Sequence, residues 1–378
     1  MANSKYAFDA LLGVGRVELT FQADQRVYVL FGSNGVGKTK CLEALFQYFL
    51  LGCELFTEDT YWTMRGRHGV ALRYTGDAND FFIPRTSDGI LTSASQRSNK
   101  PVQKHASPVV FLGAGQRGHV RNQASPSEPI GTFEDRRKRY FLSIVDAMMS
   151  DFSGLGMQAG LEQWFVTLAQ SANPYQKGGD NRKVEIDTLL HLLNEVDPRY
   201  DPEFLQIDGA NRVSLKIDGQ VTELRHLSTG FASLLKMLQA IISGYANFTN
   251  EVHLTQVRGL VFIDEIESHL HVKWQSSIVV LLKKLFPNTT FFIATHSPIV
   301  LSQLHSGEAY LLKRSDDGVV RSQPIENPDK RILADVLAEV LDVNLNRLKV
   351  ERMTSDSQKD AKAQLLELLN ARGGVPNA

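Results

Sequence analysis

The sequence predicts an α/β fold: a mostly parallel β-sheet with helices on both faces. Three observations predict it. Short apolar runs, "VYVLF" (27–31), "PVVFLG" (108–113), "GLVFID" (259–264) and "TTFFIATHS" (289–297), read as strands buried on both sides. Between them lie segments whose apolar residues recur at helical spacing. The first run also feeds directly into the glycine-rich loop "FGSNGVGKTK" (31–40) and then a helix, the order of a nucleotide-phosphate cradle.

The first strand expected is "VGRVELTF" (14–21), which alternates. After strand 27–31 and the loop, Cys41, Leu42, Leu45, Phe46 and Phe49 give 38–51 a helical stripe. "VALRYTG" and "DFFIP" supply two further strands within 70–84. Polar stretches at 85–107 and 114–132 flank strand 108–113 and read as loops. Helical patterns run from 133 to 171 and from 183 to 196. Residues 204–224 alternate and turn at Gly209 and Gly219, predicting a hairpin or meander. A helix over 230–248 precedes strand 259–264, and a helix over 272–285 precedes strand 289–297. Strands 309–313 and 319–323 flank the turn signal "SDDG". The last 50 residues form one or two amphipathic helices, 331–348 and 359–372. No repeat is present, and no heptad run is long enough for a coiled-coil arm.

Composition bounds the function. The chain has 378 residues, 43% hydrophobic and 22% charged, with a formal net charge of -1. Global charge therefore predicts no nucleic-acid or membrane partner. Cys41 and Cys53 are the only cysteines, too few for a disulfide framework, and read as two buried thiols in or near one helix. "MANSKYAFDALLG" lacks a secretory pattern, and no apolar run approaches the roughly 20 residues of a membrane span. A soluble cytoplasmic protein with no membrane partner is expected. One local exception is 97–139, with nine Lys/Arg against three Asp/Glu, including "RRKR" (136–139). It is either a phosphate-backbone contact for DNA or RNA or a solvated loop and charged helix start.

Gly32, Ser33, Asn34, Gly35, Val36, Gly37, Lys38 and Thr39 match G-x-x-x-x-G-K-[ST]. Glycines let the loop wrap closely, so backbone N–H groups can point at phosphate oxygens while the helix N-terminus faces the same anion. Lys38 would neutralise β- and γ-phosphate charge, and the Thr39 hydroxyl would ligate Mg²⁺. Ser33 to Lys40 are the expected nucleotide-binding residues of this loop. Strand 259–264 ends in Asp264 and Glu265. Asp264 suits the metal, and Glu265 suits orienting or deprotonating the attacking water. In "RHLSTGFASLLKM" (225–237), Ser228, Thr229 and Gly230 open an apolar helix, either as a plain N-cap or as a second phosphate contact. In "FFIATHSPIVL" (291–301), His296 ends a strand, either as a structural hydrogen bonder or as part of the site.

The order of these pieces resembles the ABC-type ATPase heads. "LSTGFASLL" departs from the transporter form LSGGQ and looks more like the RecF, SMC and Rad50 branch. "DEIESHLHVKWQ" is similar to the E-x-H-L-H-P-x-W-Q stretch of the OLD group and related anti-phage ATPases, the Septu, retron-associated and PARIS subunits among them, with Val272 where Pro is usual. The resemblance covers about residues 14–345 and is loose over 52–200. It implies a head (1–345) with an N-terminal lobe (1–132) holding the phosphate loop, a helical signature lobe (133–250) and a lobe (251–345) carrying Asp264 and His296. A C-terminal helix and tail (346–378) would follow. It implies an antiparallel β subdomain beside the parallel sheet. The cofactors it implies are ATP and Mg²⁺, the latter held by Thr39, Asp264 and Gln116. Glu265 and His296 would be catalytic, His296 sensing the γ-phosphate. Ser228, Thr229 and Gly230 would contact nucleotide held by a second chain, with Glu267–His271 along that interface. His269 and His271 could alternatively suggest a metal. The expected protein is an ATP-hydrolysing subunit that works as a homodimer or higher homo-oligomer and switches a separate nuclease or toxin, with DNA or RNA possible. The alternative is a RecF-like DNA-repair ATPase.

Overall fold

The computed structural model describes residues 3–11, 13–56, 72–76, 80–83, 104–115, 117–118, 129–149, 152–157 and 160–330. Contacts divide the chain into two units, Met1–Asp329 and Lys330–Ala378. Every element named below belongs to the first. The C-terminal helices expected at 331–348 and 359–372 lie outside the described residues.

In chain order the first unit contains β1 (Ser4–Leu11), β2 (Gly15–Phe21), β3 (Val27–Phe31), α1 (Lys38–Gly52), β4 (Leu72–Gly76), β5 (Asp80–Ile83) and β6 (Val109–Leu112). Helices α2 (Phe133–Met149), α3 (Leu161–Ser171) and α4 (Lys183–Val196) precede β7 (Tyr200–Ile207), β8 (Val213–Ile217) and β9 (Gln220–Glu223). Then come α5 (Thr229–Phe248), β10 (Leu260–Ile263), α6 (Val272–Gln275), α7 (Ile278–Leu285), β11 (Thr290–Thr295), α8 (Pro298–Leu301), β12 (Ala309–Arg314) and β13 (Val320–Pro324). A ten-stranded sheet has the order β5-β4-β1-β2-β13-β12-β3-β11-β10-β6, and β7-β8-β9 form a separate antiparallel sheet. The half from β12 to β6 is parallel throughout. The antiparallel strands β1, β2, β4 and β5 extend that same sheet.

The apolar runs do what their composition demands. All of β3 and β6 is buried. Phe262 stacks on Phe292 at 4.8 Å, and Phe46 of α1 meets Phe111 and Phe262 edge-on at 5.2 and 5.6 Å, which seats the helix on the sheet. Cys41 and Cys53 are free, buried thiols, and burial pushes Cys41 up to about 12.

Three elements depart from the sequence reading. Strand β1 was not expected: a bulge between Phe8 and Leu11 puts both on the buried side three residues apart, which breaks the period of two. The helical pattern from 133 to 171 is divided between α2 and α3. Between them Gly113 and Gly115 donate to Leu155 O and Ser153 O at 2.9 and 2.8 Å, drawing 153–155 onto the loop after β6. Gly156 (φ 75) crosses there, where a Cβ would stand 2.5 Å from Phe111 O. The helix expected over 272–285 breaks between α6 and α7. The Gln303 side chain enters the gap, accepting from Val279 N (2.9 Å) and donating to Gln275 O (2.5 Å).

Candidate functional site

Strands β3, β11, β10 and β6 run parallel and in register as neighbours. Their carboxyl ends therefore bring the loops at 32–37, 296–297, 264–271 and 113–118 to one edge of the sheet, where ligands of open α/β sheets bind. Four separated motifs become one site by topology alone.

In the 32–37 loop Gly35 (φ 79) and Gly37 (φ 104) are left-handed. A Cβ on Gly37 would stand 2.7 Å from both methyls of Val14, so only glycine fits. Gly37 is the N-cap of α1 and offers no side-chain cap. The backbone ladder starts with Cys41 N donating to Gly37 O at 2.9 Å. The amides of Lys38, Thr39 and Lys40 are thus first-turn donors suited to an anion. Lys38 Nζ is held at the loop, donating to Gly32 O (2.8 Å) and Ser33 O (3.0 Å). Burial lowers its pKa, opposed by the carboxylates of Glu267, Asp264 and Glu265. Ser33, Asn34 and Gly35 are exposed, and Val36 is buried. The Lys40 ammonium turns away to pair with Glu43 (2.7 Å). The Lys40 amide remains among the first-turn donors of α1.

Thr39 Oγ1 lies 3.1 Å from both oxygens of Asp264. Burial lifts the Asp264 carboxyl to about 6, against the pull of the Thr39 hydrogen bond. Glu265 follows in left-handed backbone (φ 44), uncommon for a side-chain-bearing residue. The turn is held by a residue that sequence reasoning passed over. Arg117 is fully buried and donates to Leu112 O (2.9 Å), Asp264 O (2.5 Å) and Glu265 O (2.8 Å). Burial lowers its guanidinium to about 10, opposed by Asp264, Glu267 and Glu265. Its signal was a lone Arg just after a buried strand and two glycines. Gln116, expected at the metal, lies outside the described residues.

Glu267 is buried. It accepts from Thr295 Oγ1 (2.6 Å) and His296 N (2.8 Å), and its Oε1 lies 2.9 Å from His296 Nδ1. Within the stretch 267–271, Glu267 and Leu270 face inward, while His269 and His271 are exposed. The left-handed backbone at Glu265 and His269 (φ 63) redirects these side chains. His271 Nδ1 accepts from Lys273 N at 3.3 Å and caps α6.

Ser228 is the N-cap of α5, its Oγ accepting from Phe231 N at 3.3 Å. Ser228 and Thr229 are exposed and Gly230 is buried, a Cβ there standing 3.4 Å from His269 O and His271 N. Ser233 Oγ donates to Ser268 O (3.1 Å). The turn thus packs on residues 268–271.

Among the described residues, part of the basic stretch is engaged inside the chain. Besides Arg117, Arg136 is buried and donates to Gly131 O and Asn250 Oδ1, and Arg137 lies over the Phe133 ring at 4.3 Å. Lys138 and Arg139 are exposed. The cluster "RRKR" is thus divided between packing, by Arg136 and Arg137, and solvent, by Lys138 and Arg139.

The donors fit the group they were expected to hold. Thr39 and Asp264 offer only hard oxygen, and among the described residues no group of three or more His, Cys, Asp or Glu is arranged for a metal. Such a pair suits Mg²⁺ completed by phosphate and water. The uncapped α1 N-terminus and the ammonium of Lys38 suit the phosphates.

Residues 167–302 match the family model described as "AAA domain, putative AbiEii toxin, Type IV TA system". The match covers about a third of the chain and marks a likeness of that segment to AAA domains of this family. The AAA match contains Ser228–Gly230, Asp264–His271 and His296; the phosphate loop precedes it. The chain is similar to the Septu protein PtuA of Bacillus thuringiensis, 27% identical over 373 residues, 92% of this chain and 86% of that protein. It is 41% identical over 80 residues to the Retron Vc95 probable ATPase of Vibrio cholerae, 21% of this chain and 16% of the relative. It therefore spans most of PtuA and a small share of the retron ATPase. An Smc head domain from Pyrococcus furiosus superposes with a TM-score of 0.44 at 13% identity, covering 86% of this chain and 96% of that one. No helix among the described residues is long and apolar enough to cross a membrane.

Proposed function

We propose that the chain is an ATP-hydrolysing subunit that dimerises around Mg²⁺ and ATP and thereby switches a separate nuclease or toxin in anti-phage defence. The observation that carries the nucleotide reading is the contact between Thr39 Oγ1 and both oxygens of Asp264 at the mouth of the phosphate loop. Hydroxyl and carboxylate converge where the loop amides and Lys38 Nζ would hold phosphate. Thr39 and Asp264 would hold Mg²⁺, which would offset the negative charge of the phosphate oxygens. Lys38 neutralises the same oxygens, Glu265 takes the water's proton or orients it, and His296 meets the γ-phosphate.

The dimer reading is supported by the exposure of Ser228 and Thr229 beside His269 and His271, one surface of polar groups. The effector and the defence role are supported by the relatives' names, a Septu protein and a retron ATPase. The test is phosphate release by the purified chain with Mg²⁺, alongside its mass in solution with and without ATP. Hydrolysis that Lys38→Ala abolishes, with ATP-dependent doubling of mass in Glu265→Gln, is expected. Nucleotide binding without any change in mass would overturn the dimer switch.

A further inference from the structure

We propose that Glu267 is a positioning residue that locks His296 with its proton on Nδ1, leaving Nε2 as the ring nitrogen that meets a phosphate. The hydrogen-bond inventory around Glu267 leaves one consistent assignment. Oε2 accepts from Thr295 Oγ1 at 2.6 Å. Oε1 accepts from the backbone amide of His296 at 2.8 Å and also lies 2.9 Å from His296 Nδ1. A carboxylate only accepts, so a hydrogen bond across the 2.9 Å between Oε1 and Nδ1 requires the proton on Nδ1. The cations that face Glu267 from other elements are Lys38 and Arg117.

The arrangement separates two tasks. The Glu267 side chain is 6% exposed and its partners are fixed, whereas the His296 side chain is 51% exposed. One ring nitrogen is anchored in the fold while the other is free to turn toward ligand. Binding the amide and the ring of one residue through a single oxygen also fixes where β11 ends and how the imidazole leaves it. A carboxylate that holds an imidazole in one tautomer is a recurrent way to prepare it for chemistry at the far nitrogen. Glu267 lies three residues after Asp264 yet faces β11, because the left-handed turn at Glu265 redirects the chain. It thereby couples the Asp264–Glu265 turn to His296.

The proposal rests on the nucleotide reading only for its consequence, and the experiment keeps the two apart. Full-length protein labelled with ¹⁵N-histidine is examined without nucleotide by long-range ¹H–¹⁵N correlation, the His296 signals assigned by their loss in His296→Gln. Protonated Nδ1 is expected in the wild type and in Glu267→Gln, whose amide oxygen still accepts. A neutral ring carrying its proton on Nε2 in the wild type would overturn the proposal whatever the ATPase result. In Glu267→Ala the Nδ1 preference should be lost, with hydrolysis falling about 10–100-fold at saturating ATP, and Glu267→Gln restoring most of it. Fluorescent-nucleotide affinity should move less than threefold, about 0.6 kcal/mol, in both variants. If Glu267→Ala fails to fold, the wild-type and Glu267→Gln spectra still decide. Equal loss of turnover in Glu267→Gln and Glu267→Ala would refute a role through the imidazole. Failure of the wild type to bind MgATP would sink the nucleotide reading alone.

Discussion

Thr39 Oγ1 stands 3.1 Å from each carboxylate oxygen of Asp264, although the two residues are 225 apart in the chain. The contact joins the first turn of α1 to the end of β10. It sets the position a cation would take at the phosphate loop, and the first prediction follows from it. Thr39→Ala removes one of two oxygen donors from this chain. The Mg²⁺ concentration needed for half-maximal hydrolysis should rise about tenfold or more, while thermal stability without nucleotide changes little. An unchanged Mg²⁺ titration would remove Thr39 from the metal.

Glu265 is expected to act on water rather than on binding. Glu265→Gln keeps the shape and the backbone bond from Arg117 and removes the base. Turnover should fall about 10²–10⁴-fold, with fluorescent-nucleotide affinity retained. Normal single-turnover rates would take Glu265 out of this role.

Asp264 predicts a pH dependence. Its carboxyl is raised from 3.8 to about 6 by burial. A raised folded pKa favours the protonated acid in the fold, so this group stabilises below 3.8, and that contribution is lost as the pH rises through about 6. Asp264→Asn should therefore raise the melting temperature of the nucleotide-free chain at about pH 8 and leave it nearly unchanged at about pH 4. Because the metal takes the deprotonated form, Mg²⁺ affinity of the wild type should weaken by up to about tenfold per pH unit below about pH 6. Melting curves whose difference is constant with pH would contradict the assignment.

Arg117 carries three buried carbonyls, those of Leu112, Asp264 and Glu265. Arg117→Lys keeps a charge and loses the planar fork that reaches the three carbonyls together. It should cost about 1–3 kcal/mol in chemical denaturation and lower turnover, since the left-handed turn at Glu265 loses a tether. Wild-type stability and turnover together would show that the fork is dispensable.

Shared sites between two chains predict rescue in mixtures. Lys38→Ala and Ser228→Arg are each expected to be inactive alone. Mixed, they can form dimers with one intact composite site, so part of the activity should return. Mixed dimers confirmed by mass and lacking activity would argue that each chain works with its own turn.

What the sequence determined by itself was the order and chemistry of the loops. "GSNGVGKT" needs its glycines in place, and a run of apolar residues ending in "DE" or "TH" marks a buried strand meeting a polar edge. Such signals are contiguous, because close backbone wrapping and burial on both faces are demands on neighbouring residues. The tertiary structure alone decided which side chains face the site. Glu267 belonged to a stretch expected along a dimer interface, and Lys40 to the phosphate set. Glu267 turns inward onto His296, Lys40 pairs with Glu43, and the unregarded Arg117 clamps the turn between them. The physical reason is direction. Residue type and spacing predict a facing only while the backbone stays regular, and the left-handed residues Glu265 and His269 reverse it in a way that no residue pattern announces.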